Sequence, residues 1–471
     1  MLIHSVVMKV ILFIQFVVCL SFDLKTFTVP LDHFSPITGK DKNFNMRYMI
    51  DTTYFNESSC RLFVILGGEA TMNTNRIGYP FVSDRLASEF GAAVVQTEHR
   101  FYGQSKPPDD DMMYQYLTVE QVLEDYASLI AYLRSLVDCE GTKIVGVFGG
   151  SYPGALAGLM RLRYPHLVDF SHASSAPLGF YGGHTGNKFD YYKIVTEQVG
   201  KIDSECPNLV KTTLEALEKL DLARLPICHY LDTSVEELVQ IVRAFFANQN
   251  MANYPPGKGG LVVKNLCERL RQNVNEEARV VGMFTFLAEQ QMSGKECFDV
   301  GLERPTGSAK AICADHSGCG SGNDGRSWDY QACTELEHAI ASNGETDMFP
   351  PMEFSRYLLE QYCLDRFGVS PQYSKLNTVW GIERIDQLVS RILFVNGARD
   401  GWTASAITNS THAILIPNGS HHSEMGAPRD DDTDDMREAR DKIVEIIRGF
   451  ISDIQAEPMA DQETNFTYET V

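Results

Sequence analysis

The segment Lys143-Ile-Val-Gly-Val-Phe-Gly-Gly-Ser-Tyr-Pro-Gly154 constrains this chain more than any other. An apolar, β-branched run from Lys143 to Phe148 reads as a buried strand, and Ala155 to Tyr164 reads as a helix. Between them stands Gly149-Gly150-Ser151. A strand that turns into a helix over two glycines and a serine needs a sharp, strained corner. That corner lifts the serine hydroxyl above the sheet edge, and small neighbours permit the close strand–helix approach. The Tyr152 N–H, at the positive helix end, is then placed to stabilise an oxyanion. In the general G-x-S-x-G pattern the second residue after serine is glycine, whereas here it is Pro153, which the first helical turn tolerates.

The flanking sequence repeats the alternation. Arg61–Leu66 is a strand stopped by Gly67-Gly68, and Ala92–Gln96 is another. Thr118-Val-Glu-Gln121 has the form of a capping box opening a helix whose apolar face is Val122, Tyr126, Leu129, Leu133 and Val137. Strand–helix alternation predicts an α/β fold with a parallel sheet covered on both faces. From Leu178 to about Trp380 the pattern turns helical, as in Ser234–Asn248 and Val262–Asn273. Strands return at Arg391–Val395 and Ala413–Ile416, and an amphipathic helix closes the chain from about Asp435 to Ile454. The expected organisation is a leader over 1–21 and a sheet domain in two parts, 22–177 and 381–455. A helical cap insertion over 178–380 lies between them, with a disordered tail over 456–471.

Length and charge narrow the class. At 471 residues the chain exceeds one ordinary core, in keeping with an insertion. Its formal charge of −21 opposes nucleic-acid binding. Lys9 followed by the apolar run Val10–Leu20 fits a secretory signal, and no segment predicts stable membrane insertion. Beyond Cys19 ten cysteines remain, an even number that suits disulfides in an oxidising compartment, and eight of them fall in the helical stretch. Their spacing matches no metal-ligand set, and neither a metal nor another cofactor is expected. Glycosylation sequons begin at Asn56, Asn409, Asn418 and Asn465.

A serine hydroxyl needs a base and an orienting acid, which in this topology follow in the order acid, histidine. Asp400 lies just past the strand ending at Val395, and His421-His422 just past the strand ending at Ile416. All candidates therefore sit at the carboxyl ends of strands. Position alone does not choose between the adjacent histidines.

These residues resemble the Pro-Xaa serine peptidases: prolyl carboxypeptidase, dipeptidyl peptidase II and thymus-specific serine protease. The resemblance runs from Leu31-Asp-His-Phe34 to the closing helix. Its landmarks are Gly67-Gly-Glu69, Glu98-His-Arg-Phe-Tyr-Gly103, Gly149-Gly-Ser-Tyr152, Ala173-Ser-Ser-Ala-Pro177, Trp328-Asp-Tyr-Gln-Ala-Cys-Thr-Glu335, Asn396-Gly, Asp400 and His421-His422. It implies an α/β-hydrolase domain under a helical cap, and acid-active cleavage beside proline or alanine at a peptide terminus. Residue by residue, it implies Ser151 as nucleophile, Asp400 as acid and His421 as base, with Gly68 and Glu69 helping to form the oxyanion and substrate site. Trp328 and Trp402 are expected at the substrate cleft. Asp329, in Trp328-Asp329-Tyr330, resembles dipeptidyl peptidase II and suggests an anchor for a substrate's N-terminal ammonium. The expected function is release of N-terminal dipeptides, with a Pro-Xaa carboxypeptidase as alternative; an esterase or lipase and a non-catalytic binding protein on the same fold rank lower. Peptide substrates are the expected partners, a homodimer is compatible, and the expected location is secreted or lysosomal. Two departures stand beside the candidate triad: Gly401 where the family has proline, and Ser423-Glu424 where it has Leu-Asp.

Overall fold

The computed structural model describes residues 22–35, 42–107, 113–136, 139, 142–183, 187–228, 231, 233–254, 257–291, 297–298, 313–318 and 322–457. The expected leader, Cys319, Asn465 and the last fourteen positions, 458–471, lie outside the described residues.

Eight strands form one sheet: β1 (Phe22–Pro30), β2 (Asn43–Asp51), β3 (Arg61–Ile65), β4 (Ala92–Thr97), β5 (Ile144–Gly150), β6 (Phe170–Ser174), β7 (Ile392–Gly397) and β8 (Ala413–Ile416). Their order is β1-β2-β4-β3-β5-β6-β7-β8. The first two pairings, β1–β2 and β2–β4, are antiparallel, and the other five are parallel. The hairpin of β1 and β2 and the strand β6 are not among the strands that apolar runs announce. β1 is mostly exposed, β2 alternates exposed and buried positions over its first half, and β6, Phe-Ser-His-Ala-Ser, is buried throughout despite its polar residues.

Side-chain alternation on the central strands explains the two covered faces. Leu62, Val64, Val145 and Val147 point one way, into a core shared with the helices Val119–Leu136 and Tyr152–Arg163. Phe63, Ile65, Ile144 and Phe148 point the other way, against the helix Asp434–Ala456 and the turns from Phe81 to Phe90. A largely parallel sheet, covered on both faces, with β5 at its centre, is the α/β-hydrolase architecture.

Among the described residues the elements between β6 and β7 are helices, apart from the isolated bridges Ile227–Phe298 and Ser342–Met352, and they have their own apolar core, built from residues such as Val210, Leu214, Leu238, Phe246, Leu266 and Phe284. Disulfides Cys206–Cys267, Cys228–Cys297 and Cys333–Cys363 lie within this insertion, and Cys60–Cys139 joins the start of β3 to the approach to β5. Cys313 is also disulfide-bonded.

The capping box at Thr118 forms only in part. Gln121 N–H donates to Thr118 Oγ1 at 3.3 Å, but the Gln121 amide reaches away, donating to Asp32 at 2.6 Å and accepting from His33 N–H at 2.9 Å. A tertiary contact to the Leu31-Asp-His-Phe34 segment wins over the local one. Beside it Arg100, fully buried, holds Asp125 through Nε at 2.6 Å and Nη2 at 2.7 Å.

Where the insertion meets the sheet domain, Glu335 accepts from Val119 N–H at 2.7 Å and pairs with Lys375, whose ammonium also reaches Glu120 at 3.1 Å. Burial, reinforced by Glu120, pushes the Glu335 carboxyl up to about 7, against the opposing pull of Lys375. Its folded value therefore lies above its unfolded one, so the stability it contributes is present below the ordinary glutamate range. That stability is lost as pH rises through about 7. Scanning calorimetry should show the native Tm losing ground to that of Glu335→Gln as pH rises from about 4 to about 7; a Tm difference between the two that does not change with pH would remove Glu335 as a titrating contributor.

Candidate active site

Ser151 occupies the corner between β5 and the helix Tyr152–Arg163 with φ 64° and ψ −131°. Such a backbone costs energy for any residue with a Cβ, of order 1–3 kcal/mol, and needs surroundings that hold it. Those surroundings are visible. Ser151 N–H donates to Ser174 O at 2.9 Å, and Gly154 N–H returns to Ser151 O at 2.9 Å. A Cβ on Gly149 would lie 2.0 Å from Pro153 O, and one on Gly154 would lie 2.6 Å from Ser174 O. The second small residue of the corner is thus Gly154, one position later than the general pattern. Pro153 fits because it packs on Gly68, where a Cβ would stand 2.3 Å from the proline Cγ.

Gly68 and Glu69 belong to the loop after β3. Gly67 N–H donates to Thr97 Oγ1 at 2.9 Å, Tyr126 Oη donates to Gly67 O at 3.0 Å, and Met72 N–H donates to Glu98 at 3.0 Å. Glu98 is itself clamped by Arg47, Ser105 and Gln104 N–H. The Glu98-His-Arg-Phe-Tyr-Gly103 landmark therefore fixes the loop that lies against the serine corner.

Asp400 and His421 stand at the ends of β7 and β8, and the structure brings them together: His421 Nδ1 and Asp400 Oδ2 are 2.7 Å apart, both buried. His422 turns elsewhere. Its ring packs on Gly150 and edge-on to Tyr79, and burial next to His421 depresses it to about 4. Of the two adjacent rings, His421 is the one in contact with Asp400. No hydrogen bond joins Ser151 Oγ to His421 among the described residues, a looseness common in unliganded hydrolases.

Each departure from the family has a structural counterpart. Gly401 N–H donates to Asn250 Oδ1 at 2.9 Å, which proline could not do, and Tyr191 occupies the space above it. Glu424 is buried under the histidine loop, where it accepts from Ser174 Oγ and lies 3.3 Å from His172 Nε2. Burial opposes its ionisation, but His172 and Ser174 hold the Glu424 carboxyl below the ordinary range.

Sequence reasoning overlooked the pair Ser174-Ser175. Ser174 holds the serine corner through its carbonyl and the histidine loop through its hydroxyl. Ser175, at φ 45°, donates N–H to Val395 O at 2.7 Å on the acid strand and accepts His422 N–H at 2.9 Å. The signal was present in Ala173-Ser-Ser-Ala-Pro177, but no periodicity marks it as a junction. The helix Val235–Met251, read from the sequence as Ser234–Asn248, also touches the site in a way the sequence did not announce: Asn250 holds Gly401 and Arg399 O, and Met251 O accepts from Ser420 Oγ.

Aromatic walls surround the corner. Trp328 lies 5.6 Å from the Tyr152 ring, and Trp402 packs against Phe180, Tyr191, His338 and His421. Asp329 does not share this surface. Its carboxylate accepts from Ala314 N–H at 2.9 Å and Tyr362 Oη at 2.6 Å and pairs with Arg366, leaving the side chain 1% exposed. The suggested ammonium anchor is corrected: adjacent helical positions point about 100° apart, so Trp328 faces Tyr152 while Asp329 is an internal structural carboxylate. Glu69 is the partly buried carboxylate beside the corner, with no side-chain partner among the described residues. Burial raises its pKa, and nearby Asp315 adds to this, while His421 opposes it.

Of the sequons, Asn56 and Asn409 are exposed. Asn418 is engaged: its amide nitrogen donates to Asp435 Oδ1 at 3.1 Å and its oxygen accepts from Arg399. A glycan there would break this arrangement. Among the described residues no group of His, Cys, Asp and Glu could hold a metal, and no helix is long and apolar enough to cross a membrane.

Replacing Asp329 by Ala strands a largely buried guanidinium and should cost about 2–4 kcal/mol, read as a lowered urea midpoint. Asp329→Asn should leave KM for N-terminal and C-terminal reporter peptides unchanged; a selective rise for the N-terminal reporter would restore the anchor.

The family model "Serine carboxypeptidase S28" matches residues 29–443. The bovine (Bos taurus) "Lysosomal Pro-X carboxypeptidase" is 29% identical over 465 residues, covering 93% of this chain and 89% of that protein. The mouse (Mus musculus) "Thymus-specific serine protease" is 28% identical, covering 90% and 87%. With the family model spanning the strand edge from the N-terminal hairpin to the closing helix, this chain belongs to the serine carboxypeptidase S28 family and is a serine-type peptidase.

Proposed function

We propose that the protein is a serine exopeptidase that cleaves beside proline or alanine at a peptide terminus, with Ser151 as nucleophile, His421 as base and Asp400 as the orienting acid. The observation that carries this reading is the 2.7 Å His421 Nδ1–Asp400 contact on the same sheet edge as the strained Ser151 corner. With Nδ1–H committed to Asp400, Nε2 is the free base. Ser151 Oγ attacks the scissile carbonyl as its proton passes to Nε2, and the oxyanion forms against Tyr152 N–H and the backbone around Gly68 and Glu69. The imidazolium then protonates the leaving amine, and water repeats the sequence on the acyl-enzyme. Aromatic walls from Trp328 and Trp402 suit a compact apolar ring. The lysosomal names of the relatives support a lysosomal or secreted setting.

Release of N-terminal dipeptides is supported by Glu69, an unpaired carboxylate beside the corner that attracts an ammonium. The second reading, a Pro-Xaa carboxypeptidase, is favoured by the names of the relatives. The raised pKa of Glu69 separates them. As pH rises and Glu69 ionises, an ammonium-bearing substrate binds better and a carboxylate-bearing one binds worse. Kinetics on an H-Xaa-Pro-amide reporter and on an N-blocked Pro-Phe peptide should show turnover chiefly of the first. Its KM should fall as pH rises, and Glu69→Gln should flatten that trend. Turnover chiefly of the blocked peptide would establish the carboxypeptidase instead. Fluorophosphonate labelling, absent in Ser151→Ala, tests the nucleophile; labelling that survives this substitution would reject it.

A further inference from the structure

We propose that Gln331, on the insertion helix Gly322–Ala332, is a positioning residue for the oxyanion site, holding Tyr152 through its hydroxyl. The helical insertion is thereby part of the catalytic frame as well as a cover. The proposal rests on the reading of Ser151 as nucleophile and Tyr152 N–H as oxyanion donor.

Gln331 is fully buried, and both ends of its amide are used. Its Nε2 donates to Tyr152 Oη at 2.8 Å, and its Oε1 accepts from Tyr102 Oη at 2.6 Å. The same Tyr152 hydroxyl lies 3.0 Å from His99 Nε2, while His99 Nδ1 lies 2.6 Å from Arg100 O. A carbonyl only accepts, so Nδ1 carries the hydrogen and Nε2 offers a lone pair. Tyr152 must then donate its single proton to His99 and can only accept from Gln331. The direction of the chain is set throughout: Tyr102 to Gln331, Gln331 to Tyr152, Tyr152 to His99, His99 to Arg100 O. Burial depresses His99 to about 4, which keeps the imidazole neutral, in this tautomer, under mildly acidic conditions.

Neighbouring residues of the same helix face reinforce the contact. Asp324 accepts from Thr71 N–H at 2.9 Å and from Gly103 N–H at 3.1 Å, and Ser327 Oγ donates to Phe101 O at 2.9 Å. Positions 324, 327, 328 and 331 share one face at helical spacing. Through it a single helix grips both the loop that carries Gly68-Glu69 and the residue that follows the nucleophile. Those are the two suppliers of oxyanion N–H groups in the proposed mechanism. Because this interface is directional and hydrogen-bonded, it specifies orientation as well as contact.

The test uses Gln331→Leu, Tyr152→Phe and the double variant in the full-length enzyme, with whichever reporter peptide the native enzyme turns over. Each single change should lower kcat about 10-fold or more with KM within about two-fold. The double variant should be no worse than the poorer single, and fluorophosphonate labelling should slow in parallel. Gln331→Glu provides a signature that packing alone would not move. Its neutral acid can still donate to Tyr152 and its carboxylate cannot, so kcat should gain a new loss on raising pH that the native enzyme lacks. If Gln331→Leu fails to fold, Tyr102→Phe, a milder cut in the same chain, takes its place. Folded variants with native kcat, additive effects, or a change confined to KM would overturn the proposal. Absence of native labelling would instead reject the nucleophile assignment, so the two failures are distinguishable.

Discussion

The left-handed backbone of Ser151 is the constraint on which the rest of the site depends. A φ of 64° with a side chain attached persists only where neighbours over-determine it, and here they do so from several directions. Ser174 O holds the serine N–H, Gly149 and Gly154 leave room for backbone on either side, and Gly68 makes space for Pro153. Proline two residues after the serine looked like a departure from the motif. In three dimensions the departure is answered by a glycine eighty-five positions earlier in the chain, between Gly68 and Pro153.

The same economy recurs around the other members of the site. Gly401 exchanges proline's rigidity for an N–H that Asn250 of the insertion can hold, and Glu424 ties the histidine loop to Ser174 and His172. Ser174 and Ser175 touch the serine corner, the acid strand and the histidine loop through main-chain and hydroxyl groups alike. A shift at the end of β6 would therefore move all of these loops together. The insertion contributes to the same frame through Asn250, Met251, Trp328 and Gln331.

Charge is distributed by the same logic. Buried carboxylates in the sheet domain have partners: Asp125 with Arg100, Glu98 with Arg47, and Asp400 with His421. Asp329 in the insertion pairs with Arg366. A buried charge without a partner is costly and marks a position with another use. Glu69, partly buried at the serine corner, has no such side-chain partner among the described residues, whereas Asp329 does.

The sequence by itself determined the strands β3, β4, β5, β7 and β8, the Gly-Gly-Ser corner, and the placing of Ser151, Asp400 and the His421-His422 pair just past strand ends, because continuous apolar runs and Gly-Gly breaks are local signals. It also showed that residues from about Leu178 onward depart from strand–helix alternation. It could not show β6 as a buried strand, since His172 and Ser174 look polar until Glu424 comes to meet them. Nor could it separate His421 from His422, or Asp329 from a binding role, because side-chain direction depends on partners distant in sequence. Arg366, Tyr362 and Ala314 N–H turn Asp329 inward, and Asp400 selects one of two adjacent rings. Local pattern carries strands, helices and corners; only tertiary packing decides which polar groups are already satisfied and which are left to meet a substrate.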